Sequence, residues 1–191
     1  MTESSVERSQ AIAKLVRREI AELSPERAAE LLLEFWGLDD LVEGETALPE
    51  ALRAQLRELE SPPSFDQEIH LPLIELGLRS QYLGVRNEYL ERRLLSDTGC
   101  SFAVVGDLEP MWHCPCCGYR CLRERGEYEV CSVCFWEDDG SDALGGYSAP
   151  NRMHLAEAIR NFEELGCVDA RYLSYLGEDR TERFPRGSSS S

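Results

Sequence analysis

Two Cys-x-x-Cys pairs are the residues of this chain whose type and spacing could do chemistry. The first pair is Cys114 and Cys117, in the run Cys-Pro-Cys-Cys-Gly, and the second is Cys131 and Cys134, with 13 residues between the pairs. Two such pairs at this spacing are typical of one tetrahedral metal site. Because four thiolates leave no position on zinc for water or substrate, we expect a structural metal rather than a catalytic one.

The residues around the first pair indicate which of its cysteines bind the metal. Pro115 fixes φ directly after Cys114, and Gly118 follows Cys117 and readily takes the positive φ that a metal-binding turn requires. Cys117 with Cys121 is an alternative first pair, but that spacing lacks the proline and glycine of the turn. The predicted metal ligands are therefore Cys114, Cys117, Cys131 and Cys134.

Zinc is the expected cofactor, in a structural role. Binding the ion supplies about 10–16 kcal/mol of apparent folding free energy in small zinc modules, whereas a short hairpin alone is marginally stable. Four thiolates also hold a single iron, and sequence alone separates the two metals poorly. A dithiol redox role for the first pair is a third interpretation, which would leave the second pair unexplained. We expect the other cysteines to be small buried side chains, with Cys116 projecting away from the metal; they are Cys100, Cys116, Cys121 and Cys167. Because Cys116 lies beside a metal-binding turn, exposure of its thiol is the alternative.

The chain is strongly acidic throughout its length. Its 191 residues carry a formal net charge of −16, with 20 acidic against 11 basic side chains in residues 1–99 and 16 against 9 in residues 100–191. Nucleic-acid binding depends on clustered Lys and Arg, and this chain has a single lysine, Lys14. We therefore expect no nucleic-acid ligand, and a protein partner with a basic surface. Acidic charge also keeps proteins soluble, and that simpler interpretation stays open.

Neither a membrane span nor a secretion signal is visible in the sequence. The longest apolar runs are as short as residues 102–105, and the first 20 residues are charged throughout. We expect a cytoplasmic protein, in which reduced thiols favour a metal site over disulfides. No Ser/His/Asp or Cys/His arrangement stands at catalytic spacing, and His113, beside the first pair, is not needed as a fifth ligand. We therefore expect no enzymatic activity.

The first half of the chain has the pattern of a helical region. Apolar residues recur at helical spacing in four segments. These segments are residues 5–23, 24–36, 49–59 and 65–95, the last divided by Gly84 into two helices. Ser24 followed by Pro25 is a favourable helix start, and Pro72 would mark the first turn of the fourth segment. Gly37 would end the second helix, and an acidic loop from Asp39 to Glu45 would follow.

The second half has the pattern of short strands and one helix. Residues 101–107 are extended in character, and we expect residues 119–122 and 128–130 to pair as antiparallel strands between the two cysteine pairs. A helix is predicted over residues 153–165, ending at Gly166. The predicted fold is α+β: a helical N-terminal region, a small rubredoxin-like zinc ribbon and a packing helix. The predicted domains are residues 1–98 (helical region), 99–175 (zinc-ribbon domain) and 176–191 (flexible tail).

The second half also resembles a known family. The run Cys-Pro-Cys-Cys-Gly-Tyr, the segment from Arg125 to Gly140, then Asn151 and Glu157–Phe162 are similar to the bacterial cysteine-rich CPCC family across residues 112–166. The family often has Ser or Thr as a helix cap where His154 stands in this chain. Loss of such a cap costs about 1 kcal/mol, which does not threaten the fold.

The resemblance implies a binding protein rather than an enzyme. Some members of the family are linked to bacterial toxin systems, which suggests an immunity protein that binds and neutralises a cognate toxin such as a nuclease. Nuclease toxins are basic where they hold phosphate, so an acidic inhibitor would be steered onto that surface. The loop of Glu137, Asp138 and Asp139 is the expected partner contact. The alternatives are a zinc-ribbon adaptor in transcription or translation and a rubredoxin-like electron carrier.

Overall fold

The computed structural model describes residues 4–36, 48–142 and 145–187. Its elements, in chain order, are β1 (Ser4–Glu7), α1 (Arg8–Ala21), α2 (Pro25–Phe35), α3 (Glu50–Glu58), α4 (Gln67–Ser80), α5 (Asn87–Thr98), β2 (Phe102–Val105), β3 (Trp112–His113), β4 (Arg120–Leu122), β5 (Tyr147–Ser148), β6 (Met153–His154), α6 (Leu155–Leu165), a 3-10 helix (Ala170–Tyr175) and α7 (Arg180–Arg183). The predicted α+β class is confirmed. The predicted helix stop at Gly37, the acidic loop Asp39–Glu45 and the terminal serines lie outside the described residues.

The chain divides into two compact units. The first consists of residues 1–82 and 90–106, and the second of residues 83–89 and 107–191. None of the described helices has both the length and the apolar character needed to cross a membrane.

The first unit begins with a strand where a helix was predicted. β1 pairs in parallel with β2, in a register that runs from Ser4 opposite Phe102 to Glu7 opposite Val105. Val6, predicted as the first residue of a helical stripe, is buried in this strand. Because the partner strand is almost a hundred residues away in the chain, a pattern of local spacing could not reveal the pairing.

The core of the first unit lies where α4 packs against α1 and α2. Ser24 caps α2 as predicted, with its hydroxyl oxygen accepting a hydrogen bond from the Arg27 N–H at 3.2 Å. The helices meet closely at Gly77, where an added Cβ would lie 2.3 Å from the ring of Phe35. The buried apolar side chains of these three helices include Leu15, Val16, Leu31, Leu32, Phe35, Leu73, Ile74 and Leu78.

Helix α4 starts earlier than its proline suggests. Asp66 is the capping residue, and its carboxylate accepts a hydrogen bond from the Ile69 N–H at 3.1 Å. Pro72 therefore lies inside the helix, and its predicted place in the first turn is wrong. The capping bond fixes the helix start, whereas a proline only removes one donor from the turn in which it lies.

His70, in the same helix, is buried with both ring nitrogens hydrogen-bonded. Nδ1 accepts from the Asp66 N–H at 2.8 Å, and Nε2 lies 2.8 Å from Oε1 of Gln55. Because Nδ1 must accept and Nε2 must donate, only the neutral ring with its proton on Nε2 satisfies both partners. Burial lowers the pKa of His70 and so favours that neutral form, against the opposing charge of Asp66.

The second unit contains two short hairpins that each close over one cysteine pair. β4 pairs antiparallel with β3, and Val130 forms an isolated antiparallel bridge with Glu137. The predicted pairing of residues 119–122 with 128–130 is therefore wrong. The backbone of residues 128–130 pairs across the second turn instead: the Tyr128 N–H donates to the Asp138 carbonyl at 2.8 Å, and the Asp138 N–H donates to the Glu129 carbonyl at 3.0 Å.

The C-terminal segment is more ordered than its composition suggests. Residues from 176 were predicted to be a flexible tail, but α7 forms within them and Phe184 is buried. The Arg186 Nε–H donates to the Cys117 carbonyl at 3.0 Å, and the Arg120 N–H donates to the Pro185 carbonyl at 2.9 Å. The buried Phe184 side chain and these hydrogen bonds hold the described part of the segment against the rest of the second unit.

Candidate metal centre

Four cysteine side chains of the second unit meet at one point. The Sγ atoms of Cys114, Cys117, Cys131 and Cys134 all lie within 4.8 Å of one another, and all four residues are buried. The Cys114–Cys134 and Cys117–Cys131 sulfur pairs are each 3.6 Å apart. Four sulfurs bound at about 2.3 Å around a tetrahedral ion would be about 3.8 Å apart. The four predicted ligands are thus brought together at the spacing that a metal ion requires.

The first turn holds its pair by backbone hydrogen bonds. The Cys114 N–H donates to the Tyr119 carbonyl, and the Gly118 N–H donates to the Cys114 carbonyl, both at 2.9 Å. Gly118 has a φ of 76°, which glycine adopts without steric cost. The observed turn is the one predicted from the sequence, in which Cys117, rather than Cys121, stands at the position of the second ligand.

The second turn repeats both hydrogen bonds with a different residue at its end. The Cys131 N–H donates to the Trp136 carbonyl, and the Phe135 N–H donates to the Cys131 carbonyl, both at 2.8 Å. Phe135 therefore occupies the position that Gly118 holds in the first turn, and its φ is 68°. A side chain in this conformation costs on the order of 1–3 kcal/mol.

The buried thiols need a cation in order to ionise together. Burial raises the pKa of Cys114 and of Cys134, and hydrogen bonding to the Cys114 thiol raises that of Cys117. Cys131 differs: burial raises its pKa, but hydrogen bonds from neighbouring thiols outweigh burial and lower it to about 6. The N–H groups of Val133 and Cys134 also lie 3.4 Å from the Cys131 sulfur. A bound cation would supply the positive charge that four thiolates require.

The donor set suits a closed metal site. Four thiolates complete a tetrahedron and leave no open position for a substrate. Zinc and iron both accept this set, so the geometry does not choose between them. His113 is occupied elsewhere: its Nδ1 lies 3.3 Å from the Gly118 carbonyl, and its Nε2 accepts from the Arg120 Nε–H at 3.0 Å.

Comparison with known families agrees with this site. Residues 112–182 match a family model described as Cysteine-rich CPCC. Residues 112–182 are therefore similar to that family, and we call them the CPCC domain. The match includes the four-cysteine cluster and α6, and it reaches into α7, beyond the resemblance seen over residues 112–166. Comparison with curated proteins and with solved structures gives no match.

The other thiols of the CPCC domain lie around the cluster. Cys116 and Cys167 are buried as expected, whereas Cys100, which lies outside the domain, is exposed, so its expected burial is wrong. Cys121 is also buried, and its Sγ lies 3.3 Å from that of Cys131. Sequence reasoning missed this contact. A prediction that residues 120–122 pair across the first turn with residues 112–113 would have revealed it, because this pairing brings Cys121 back to the cluster.

The acidic loop of the CPCC domain divides into a buried residue and two half-buried ones. Asp138 is completely buried, and its Oδ2 accepts from the Arg125 Nε–H at 2.7 Å and from the Gly126 N–H at 2.8 Å. The prediction that Asp138 contacts a partner is therefore wrong, because its carboxylate is taken up inside the domain. Glu137 and Asp139 are half-buried, and their contact with a partner stays a prediction.

An aromatic cluster, formed by Phe135, Tyr172 and Tyr175, lies beside the second cysteine turn. The rings of Phe135 and Tyr172 stack with their centroids 4.2 Å apart, and that of Tyr175 lies 6.0 Å from Phe135. Tyr175 is 74% exposed. Phe135, Tyr172 and Glu137 also line a small cavity of about 40 Å³. The turn thus presents aromatic surface next to an acidic residue.

Proposed function

We propose that this protein is a zinc-stabilised binding protein without enzymatic activity, and that it acts as an immunity protein. Its partner would be a bacterial toxin with a basic surface, such as a nuclease, which it neutralises in the cytoplasm by direct contact. The observation that carries this proposal is the aromatic cluster that Phe135 anchors beside the second cysteine turn.

Zinc, rather than another metal, is part of the proposal. Its ligands would be the Sγ atoms of the four clustered cysteines. Bound there, the ion would neutralise buried thiolate charge and supply folding free energy to a region whose strands are only two or three residues long. The site then has the role of a scaffold, and the binding chemistry belongs to the surface around it.

The conformation of Phe135 supports a role in contact with a partner. The two turns share their backbone hydrogen bonds, yet glycine ends the first and phenylalanine ends the second. A strained residue that a glycine could replace without strain is favoured where its side chain has a function. Tyrosine and phenylalanine are enriched in the buried centres of protein interfaces, and the exposed Tyr175 extends the same surface.

The charge of the protein defines the class of partner. A net charge of −16 attracts a basic surface over a distance and accelerates its association. Glu137, which lines the cavity beside Phe135, offers a carboxylate at the margin of the aromatic cluster. A partner that presents Lys or Arg side chains would pair with this carboxylate and stack its cations on the exposed rings.

Co-purification with the product of the adjacent gene tests the proposal. We expect the adjacent product to be toxic when expressed alone, harmless when co-expressed with this protein, and bound by it in a pull-down. Tyr175→Ala should weaken binding about tenfold or more, because a central aromatic residue contributes about 1–3 kcal/mol to binding. Tyr147→Ala is the matched control, since Tyr147 is also exposed but is not part of the aromatic cluster.

Two results would overturn the proposal. One is an adjacent product that is neither toxic nor bound by the purified protein. The other is a bound toxin whose affinity is the same for the Tyr175→Ala, Tyr147→Ala and wild-type proteins, which would remove the aromatic cluster from the interface.

A further inference from the structure

Five thiols, rather than four, are in contact at the metal centre. The fifth belongs to Cys121, which is 6% exposed. Its Sγ is closer to the Cys131 sulfur, at 3.3 Å, than the Cys117 sulfur is, at 3.6 Å. Cys121 therefore lies against the Cys131 corner of the sulfur tetrahedron.

The alternative partner of the Cys121 thiol is weak. Apart from the clustered sulfurs, its hydrogen-bond partner in the described chain is the Tyr119 carbonyl, at 3.7 Å. A neutral thiol at this place donates S–H to the Tyr119 carbonyl or to a sulfur of the cluster, and it does not bind the metal. A thiol that has lost its proton could itself bind the ion, since thiolate is the form that ligates zinc.

We infer that Cys121 is a reserve ligand, able to replace Cys117 in binding the metal. This inference rests on the metal site of the proposed function. Both residues belong to the first cysteine turn and its hairpin, Cys117 at the end of the turn and Cys121 on β4. Exchange therefore needs a change of side-chain position within one short hairpin, while Cys114, Cys131 and Cys134 keep their places.

The exchange of one thiolate ligand for the other needs no additional reagent. The metal–sulfur bond to Cys117 breaks, and a metal–sulfur bond to Cys121 forms. The proton that leaves the Cys121 thiol passes to the released Cys117 thiolate. Four thiolates surround the ion before and after, so neither the charge of the site nor any oxidation state changes. A site of this kind keeps its metal when Cys117 is lost or chemically blocked.

Alanine variants test the inference, because alanine has no atom that could bind the metal. Each purified variant is loaded with Co²⁺, whose charge-transfer and d–d absorption bands report the number of thiolates and the tetrahedral geometry. Zinc content after dialysis against a chelator is the second readout. We expect Cys117→Ala to keep one metal ion and the four-thiolate spectrum. Cys117→Ala/Cys121→Ala should lose both, since only three thiolates then remain.

Two single variants serve as controls. Cys131→Ala removes a ligand that Cys121 contacts but that belongs to the other turn, and it should lose the ion in the same dialysis. Cys121→Ala should keep the four-thiolate spectrum, which separates ligand loss from misfolding caused by a change at β4. If Cys117→Ala loses metal or fails to fold while Cys121→Ala is normal, Cys121 is only a hydrogen-bond donor and the inference is wrong. The readout does not involve a partner, so failure of toxin binding leaves this result unaffected.

Discussion

Replacing Asp138 by asparagine should destabilise the CPCC domain strongly, although this residue was expected to face a partner. Asp138 is completely buried, while the side chain of its ion-pair partner Arg125 is 26% exposed. The loop around it is also fixed through the backbone, where the Tyr128 N–H donates to the Asp138 carbonyl at 2.8 Å and the Asp138 N–H donates to the Glu129 carbonyl at 3.0 Å. The carboxylate thus holds together the segments that flank the second cysteine turn.

The expected loss in the free energy of unfolding follows from which interactions of Asp138 an asparagine keeps and which it loses. Removing one partner of a buried ion pair usually costs about 3–5 kcal/mol. The amide oxygen can still accept from Gly126, and Arg125 retains its ion pair with the exposed Asp142. The amide NH₂ would take the place of Oδ1, which has no hydrogen-bond partner among the described residues, and would add a buried donor. We therefore expect a loss of about 2–3 kcal/mol in the free energy of unfolding, at or just below the lower end of that range.

Urea unfolding of the zinc-loaded protein, followed by circular dichroism and tryptophan fluorescence, measures this loss. Asp142→Asn is the matched control: its side chain is 74% exposed in the same cluster, so its removal should cost less than about 1 kcal/mol. If Asp138→Asn unfolds at the same urea concentration as the wild type, the ion pair does not stabilise the domain and the structural assignment of Asp138 is refuted.

Three further predictions concern positions outside the metal ligands. Phe135→Gly should change the free energy of unfolding by no more than about 1 kcal/mol, because relief of about 1–3 kcal/mol of backbone strain offsets the lost stacking on Tyr172; a loss above about 3 kcal/mol in urea unfolding would contradict the strain. Gly77→Ala should destabilise by about 1–3 kcal/mol, since its Cβ would lie 2.3 Å from the Phe35 ring; a rise in the melting temperature, the usual effect of Gly→Ala in a helix, would show that the helices can separate without cost. The pKa of His70 is lowered in the folded state, so the folded protein binds fewer protons than the unfolded chain at pH values between the folded pKa and the unfolded pKa of about 6.5. The contribution of His70 to stability is therefore complete above pH 6.5, and stability falls as the pH drops toward the folded pKa. His70→Gln should remove this pH dependence from the free energy of unfolding measured between pH 5 and 8.

The parts of the fold that local sequence determines were predictable. The cap at Ser24 and the stop at Gly166, whose φ is 76°, depend on residues within one helical turn. The first cysteine turn depends on proline and glycine at fixed places, and the hydrogen bonds around Cys114 and Gly118 show that this turn forms. Each of these features is encoded by a few neighbouring residues, so one sequence is enough to recognise it.

The parts that depend on distant contacts were not predictable. Val6 has the spacing of a helical residue and becomes a strand residue only because β2 is available to pair with it. Asp138 looks like a solvated acid until the fold brings Arg125 to it. Cys121 reaches the cluster because β4 pairs across the first turn rather than with residues 128–130. In each case the energy comes from a tertiary partner that local spacing does not identify.

The coordination of the metal in the purified wild-type protein is the decisive test of a closed zinc site. Metal analysis combined with X-ray absorption at the zinc edge gives both the number of ions and the identity of their neighbours. We expect one zinc per chain, bound by four sulfurs at about 2.3 Å, with no nitrogen or oxygen ligand that would mark an open catalytic position. A red protein that contains iron would contradict the assignment of zinc, and a zinc with water or histidine among its ligands would contradict a closed structural site.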